Sequence, residues 1–269
     1  MSWLGKFFGG AFGFLLGGPL GAILGASIGH QFDEGIAGID GIERGTFEHG
    51  EQHRVQMAFF TATFAVMGHI AKADGKVSQA EINLANRVMD EMALPPGMRD
   101  TAKKLFQQGK NKDFDLDEVL LQFRHECHRR IHLIRMFLEI QLQAALADGT
   151  LDREEEQILL HICQMLGISR FEFERLKIQI QAQQRFYGQG RQQQSRTKTS
   201  SLQDAYAILG LNASASDAEV KKAYRRLMNQ NHPDKLVAKG LPEEMMTLAK
   251  EKTQKISKAY DLIQKSRKS

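Results

Sequence analysis

Between Lys6 and Asp33 the chain carries no acidic, Lys or Arg side chain, and glycine recurs within this stretch at every fourth position. From Phe7 to Gly29 a helix would be ~35 Å long, enough for a hydrocarbon core of ~30 Å. Gly9, Gly13, Gly17, Gly21, Gly25 and Gly29 fall in one slowly drifting stripe on such a helix. In water that stripe is unfavourable, because each glycine costs about 1 kcal/mol against alanine. In lipid the backbone must satisfy itself, so the helix forms, and the bare stripe lets a second helix approach closely. We read residues 1–6 as a short tail, 7–29 as a transmembrane helix and 30–52 as a juxtamembrane segment. The stripe predicts a homodimer through the anchor. A signal peptide would have a shorter apolar core and a small-residue cleavage site, and neither is present here.

From His53 onward the apolar spacing is helical and no alternating strand pattern occurs. The fold class expected is all-α. Met57, Phe60, Phe64 and Met67 make one helix face, and Ile131 to Leu146 is apolar on almost every side, as in the centre of a bundle. Pro95 and Pro96 break the chain between helices. The two cysteines, Cys127 and Cys163, form no C-x-x-C pair, which argues against both a disulfide framework and a cysteine zinc site. The net charge of +4 is too small to imply nucleic acid without a larger cluster. There is no P-loop, no G-x-S-x-G and no plausible triad, so no enzymatic activity and no cofactor are expected.

The middle stretch, 53–182, contains an echo. Ala71-Lys72-Ala73-Asp74-Gly75 leads to Ser78 and Glu81, and Ala145-Leu146-Ala147-Asp148-Gly149 leads to Asp152 and Glu155. Each copy reads as a helix end, an Asp-Gly turn and a capped new helix. Ser169 with Glu172 repeats the capping spacing. The turns match the second half of a calcium loop, yet its first ligand positions would be Ile70 and Lys72, or Ala144 and Leu146, which supply no oxygen side chain. Joints between helices are the better reading, and no metal is expected. His125, His128 and His132 are expected on one helix face, but Arg124, Arg129 and Arg130 disfavour a cation there. The duplicated acidic turns resemble the TerB-like, tellurite-resistance-type helical fold, whose members keep a metal-responsive sensor or protein-interaction module as an alternative centre of function.

Residues 183–202 are rich in Gln, Gly, Arg and Ser, a composition that reads as a flexible tether. The last domain, 203–269, begins with Asp204 to Leu211, a short helix ended by Gly210. Ser216 with Glu219 then opens a second helix. Val220, Ala223, Tyr224 and Leu227 line one side of it, and Lys221, Lys222, Arg225 and Arg226 the other. After Asn229 comes His232-Pro233-Asp234, where the proline restricts His232 to extended geometry. A final helix runs from about Glu243 to Gln264, with Ala249, Lys252, Ile256, Ala259, Tyr260 and Ile263 on its inner side. The pattern predicts two antiparallel helices joined by an exposed corner.

These residues, in this order, resemble the J-domain of the DnaJ family. Anchor, TerB-like middle, Gln-rich linker and terminal J-domain together resemble the membrane-anchored DnaJ-like co-chaperones. Thr253 stands where many J-domains have phenylalanine, the loop Leu236 to Pro242 is longer than usual, and no Gly/Phe-rich or zinc-binding region is present. The resemblance implies stimulation of ATP hydrolysis by a DnaK-type chaperone. The binding residues it implies are His232, Pro233, Asp234, Lys221, Lys222, Arg225, Arg226 and Asn229. It also implies a bacterial inner-membrane protein. Lys6 and the acids at 33 and 34 weakly favour a cytoplasmic N-terminus, but an ATP-driven partner requires the C-terminal domains in the cytoplasm and the N-terminus in the periplasm.

Overall fold

The computed structural model describes residues 18–23, 47–73, 79–91, 94, 96–128, 130–147, 149–187, 198–239, 241 and 246–268. The described residues are helical and contain no strand. Among the described residues, seven helices form the middle domain: α1 (Phe47–Ile70), α2 (Gln79–Glu91), α3 (Pro96–Gly109), α4 (Leu116–Glu126), α5 (Ile131–Ala145), α6 (Arg153–Leu166) and α7 (Arg170–Tyr187). Four more follow: α8 (Lys198–Leu209), α9 (Asp217–Asn231), α10 (Pro233–Val237) and α11 (Met246–Lys268).

Helix α1 sits at the centre and packs against α3, α4, α5 and α6. The sequence expects one apolar face on it, yet the structure buries every residue from Ala58 to Gly68. Small residues explain the difference. A Cβ on Gly68 would come within 2.0 Å of the Phe106 carbonyl oxygen, and one on Gly109 within 1.8 Å of that of Ala65. The α1 and α3 backbones therefore cross in direct contact, which no larger residue permits. Of the two buried threonines inside α1, Thr61 Oγ1 has no hydrogen-bond partner among the described residues, whereas Thr63 is engaged locally. Thr63 Oγ1 donates to the Phe59 carbonyl at 2.7 Å, and the buried Gln141 amide donates to the Thr63 carbonyl at 3.0 Å. Helix α5 is central as expected, with Leu133, Phe137, Leu138 and Leu142 fully buried. Phe59, Phe123 and Phe137 form one aromatic cluster, the last two with centroids 4.6 Å apart.

The capping signals produce the helix starts they predict. The Asp152 amide donates to the Glu155 carboxylate at 3.1 Å, the Glu172 amide to Ser169 Oγ at 3.2 Å, and the Ser216 amide to Glu219 at 2.7 Å. Gly149, Gly167 and Gly210 adopt left-handed backbone with φ of 95°, 72° and 70°. The turn at Asp74–Ser78 and residue Asp148 lie outside the described residues. Cys127 and Cys163 are both free and buried, and burial pushes each thiol up to about 12. Neither is a reactive thiol in this setting.

The three histidines do not share a helix face. Helix α4 ends at Glu126, a turn follows, and α5 begins at Ile131. His125 and His128 belong to the first end and its turn, while His132 starts the next helix. The Arg130 amide donating to the Cys127 carbonyl at 2.8 Å closes the turn, and the buried Cys127 anchors it. Among the described residues no group of three metal-ligating side chains is brought together.

Of the six stripe glycines only Gly21 lies among the described residues. The helical turn at 18–23 lies against the middle domain, where the Leu20 amide donates to Gln122 Oε1 at 2.6 Å and Leu20 is buried. Among the described residues no helix is long and apolar enough to cross a membrane.

Candidate partner-binding site

The last domain is a helical hairpin, α9 against α11, closed at one end by α8. Ala205, Ile208, Leu209, Val220, Ala223, Ile256, Ala259 and Ile263 form its core. Tyr224 and Tyr260 stack with centroids 4.2 Å apart. Arg267 ties the end of α11 to the α8–α9 connection, donating to Tyr206 Oη at 2.9 Å and pairing with Asp217. Lys252, expected to lie on the inner side by its stem, instead carries its ammonium to Glu139 of α5.

His232 is the joint between α9 and α10, with φ −62° and ψ 125°. That is the extended geometry the following proline enforces. Pro233 then occupies the first position of α10, where a missing N–H and a fixed φ are tolerated. The sequence expects a plain loop here. A five-residue helix forms instead, closed by the Leu236 amide on the His232 carbonyl at 3.1 Å. Its inner side chain, Leu236, is buried, and so is Leu241 beyond it. The His232 side chain is 48% exposed and that of Asp234 is 83% exposed, with Nδ1 and Oδ2 3.9 Å apart. The corner thus presents an imidazole and a carboxylate outward on a backbone that is held from within.

Lys221, Lys222, Arg225 and Arg226 are all exposed on α9. Asn229, also exposed, accepts from Lys235 Nζ through its Oδ1. Arg226 differs from its neighbours. It lines a cleft between α9, α11 and the middle-domain helices α5 and α7. Burial, then the positive charges of Arg175 and Arg135, lower its pKa.

The last domain is docked on the middle domain. Leu236, Leu241 and Ala249 belong to the same apolar cluster as the middle-domain core, and Ala182 of α7 belongs to that of the last domain. Arg185 Nε meets Asp204 Oδ1 at 3.0 Å, and Gln179 Nε2 donates to the Ile208 carbonyl at 3.4 Å. Helix α7 extends to Tyr187 and α8 begins at Lys198, so helices enter both ends of the stretch expected as a tether. Burying Ala182 and packing Phe186 against the last domain give the end of α7 the apolar cover its Gln-rich composition lacks. These contacts join residues far apart in the chain and leave no mark in local sequence.

Residues 204–269 match the family model described as DnaJ domain, 60–178 that of tellurite resistance protein TerB, and 1–44 that of the co-chaperone DjlA transmembrane domain. The chain is 44% identical over 269 residues to co-chaperone protein DjlA of Coxiella burnetii, covering 99% of each chain. It is 45% identical over 267 residues to that of Shewanella oneidensis, again covering 99% of each. With that of Pasteurella multocida the identity is 42% over 286 residues, at the same coverage. No solved structure matches.

Proposed function

The chain belongs to the DjlA family of co-chaperones, and on that premise we infer how its exposed corner acts. It is a membrane-anchored, all-α J-domain co-chaperone with a DnaK-type partner. The basic face of α9 attracts an acidic surface of that partner, which sets encounter rate and orientation. Lys221, Lys222 and Arg225 supply most of this field, with Arg226 and Asn229 at its edge. His232 and Asp234 then enter the joint of the partner's ATPase domain. A carboxylate so placed pairs with an arginine through directional, charge-assisted bonds. Pro233 keeps the corner rigid, so little ordering entropy opposes the contact. The chain does no chemistry itself: it stabilises the partner's hydrolysis-competent arrangement, which is a shift of population.

The observation that carries this reading is the outward exposure of His232 and Asp234 on a corner anchored by the buried Leu236. The test uses the full chain in lipid nanodiscs with DnaK, following ATP turnover. His232→Gln is expected to abolish stimulation while leaving the helical content intact. Equal stimulation by the variant would overturn the reading.

The same reading divides the chain into anchor 7–29, middle domain 53–182, tether 183–202 and J-domain 203–269. It sets the chain in the bacterial inner membrane with a single pass, the N-terminus in the periplasm and both folded domains in the cytoplasm. A protease added to intact spheroplasts should spare the J-domain, and its digestion there would reverse the topology. The glycine stripe makes the anchor a homodimer, for which Gly21→Leu should abolish crosslinking between copies. Undiminished crosslinking would dismiss the stripe as the contact.

A further inference from the structure

The cleft between the two folded domains has an unusual charge inventory. Its volume is about 270 Å³. Arg135 of α5 is matched by Glu172 at 2.6 Å, and Lys252 of α11 by Glu139. Arg175 of α7 and Arg226 of α9 also line the cleft, and among the described residues neither has an ion-pair partner. The lining therefore keeps a surplus of two positive charges, one contributed by each domain. Arg175 and Arg135 lie close enough to Arg226 to disfavour its charge. With the domains in this arrangement the cleft thus holds more positive than negative charge.

The rest of the cleft suits an anion of a particular kind. Its floor is apolar, with Met136, Leu138 and Ile168 buried there. Gln179 and Gln230 add neutral hydrogen-bonding groups at the sides. A phosphoryl group, with three acceptor oxygens and close to two negative charges, is an anion that guanidinium forks recognise well, and among the described residues the lining carries two without an ion-pair partner, one from each domain. A volume near the lower end of ligand pockets leaves room for a small organic part and little more.

We propose that this cleft binds a small phosphate ester, bridged between Arg175 of the middle domain and Arg226 of the J-domain. The phosphoryl chemistry is common to soluble esters and to a phosphomonoester lipid headgroup.

The test uses the full chain in phosphatidylcholine nanodiscs, titrated calorimetrically with inorganic pyrophosphate as the probe. Saturable binding is expected, weakened at least tenfold by Arg175→Gln and by Arg226→Gln, and less by Arg175→Lys, which keeps the charge and loses the fork. Arg170→Gln, on the same helix and outside the cleft, should leave the affinity unchanged. Repeating the titration in discs that contain phosphatidic acid separates the sources. Loss of the pyrophosphate heat there assigns the site to a headgroup, and its retention assigns it to a soluble ester. Absence of Arg175-dependent binding in the first discs, or equal weakening by Arg170→Gln, would overturn the proposal.

Discussion

The Lys252 ammonium of the J-domain meets the Glu139 carboxylate of the middle domain across 113 residues of chain, with the two side chains only 19% and 14% exposed. Little water reaches this pair, so leaving either charge alone costs about 1–3 kcal/mol or more. Lys252→Glu should therefore loosen the docked arrangement, and the double variant with Glu139→Lys should restore most of it. Hydrogen exchange of amides in α8 and α10 reads the difference. If neither single reversal accelerates exchange, the pair contributes nothing to docking.

The crossing of α1 and α3 leads to a second expectation. Gly109→Ala places a Cβ 1.8 Å from a backbone carbonyl, so the helices must part. Overpacking of this kind costs about 1–3 kcal/mol. Gly97→Ala lies in the same helix with nothing within 4 Å of the new carbon. It should be neutral, or stabilising by up to about 1 kcal/mol through lower chain entropy. Urea unfolding of both variants beside the parent separates packing from helix propensity. Equal midpoints for the two would refute the contact.

Much of the J-domain was legible in the sequence because its signals are local. Ser216 with Glu219, Gly210, and the proline after His232 each act within a few residues, and each produces the geometry expected of it. The middle domain was legible as helices but not as a hierarchy. Periodicity marks Phe60 and Phe64 but is silent about Gly68 and Gly109, whose importance depends on which helix crosses them. The histidine strip failed for the same reason: helical spacing extends through Cys127–Arg130, while buried Cys127 and the backbone turn end α4 there. Docking of the two domains was invisible, since Lys252 and Glu139, or Arg185 and Asp204, are ordinary surface residues until tertiary packing pairs them.

The basic face of α9 predicts a salt-dependent encounter. If Lys221, Lys222 and Arg225 steer association, stimulation of DnaK turnover at limiting chain should fall as salt rises from 50 to 300 mM, concentrations chosen so that the screening length shrinks to roughly 6 Å. Replacing Lys222 by Glu should slow association about tenfold at low salt and flatten the dependence. Stopped-flow binding measures this directly. A variant with the parent's slope would show that these charges are only a solvated helix face.

Two histidines predict a response to acid. Burial lowers the pKa of His69, a shift partly offset by its backbone bond to Gly109, and the Phe114 ring packs against it. Burial also lowers the pKa of His132, helped by Lys239 and Arg135. In the unfolded chain both take up protons near the ordinary imidazole value of about 6.5. Above that pH both states are neutral at these sites and the contribution is fully present. As pH falls below it, the unfolded chain binds protons that the folded chain refuses, so stability declines until the folded values are passed. Urea midpoints measured from pH 7.5 down to 5 should therefore drop for the parent. They should drop less for the double variant His69→Gln, His132→Gln. Parallel curves for the two proteins would mean that other groups carry the acid sensitivity.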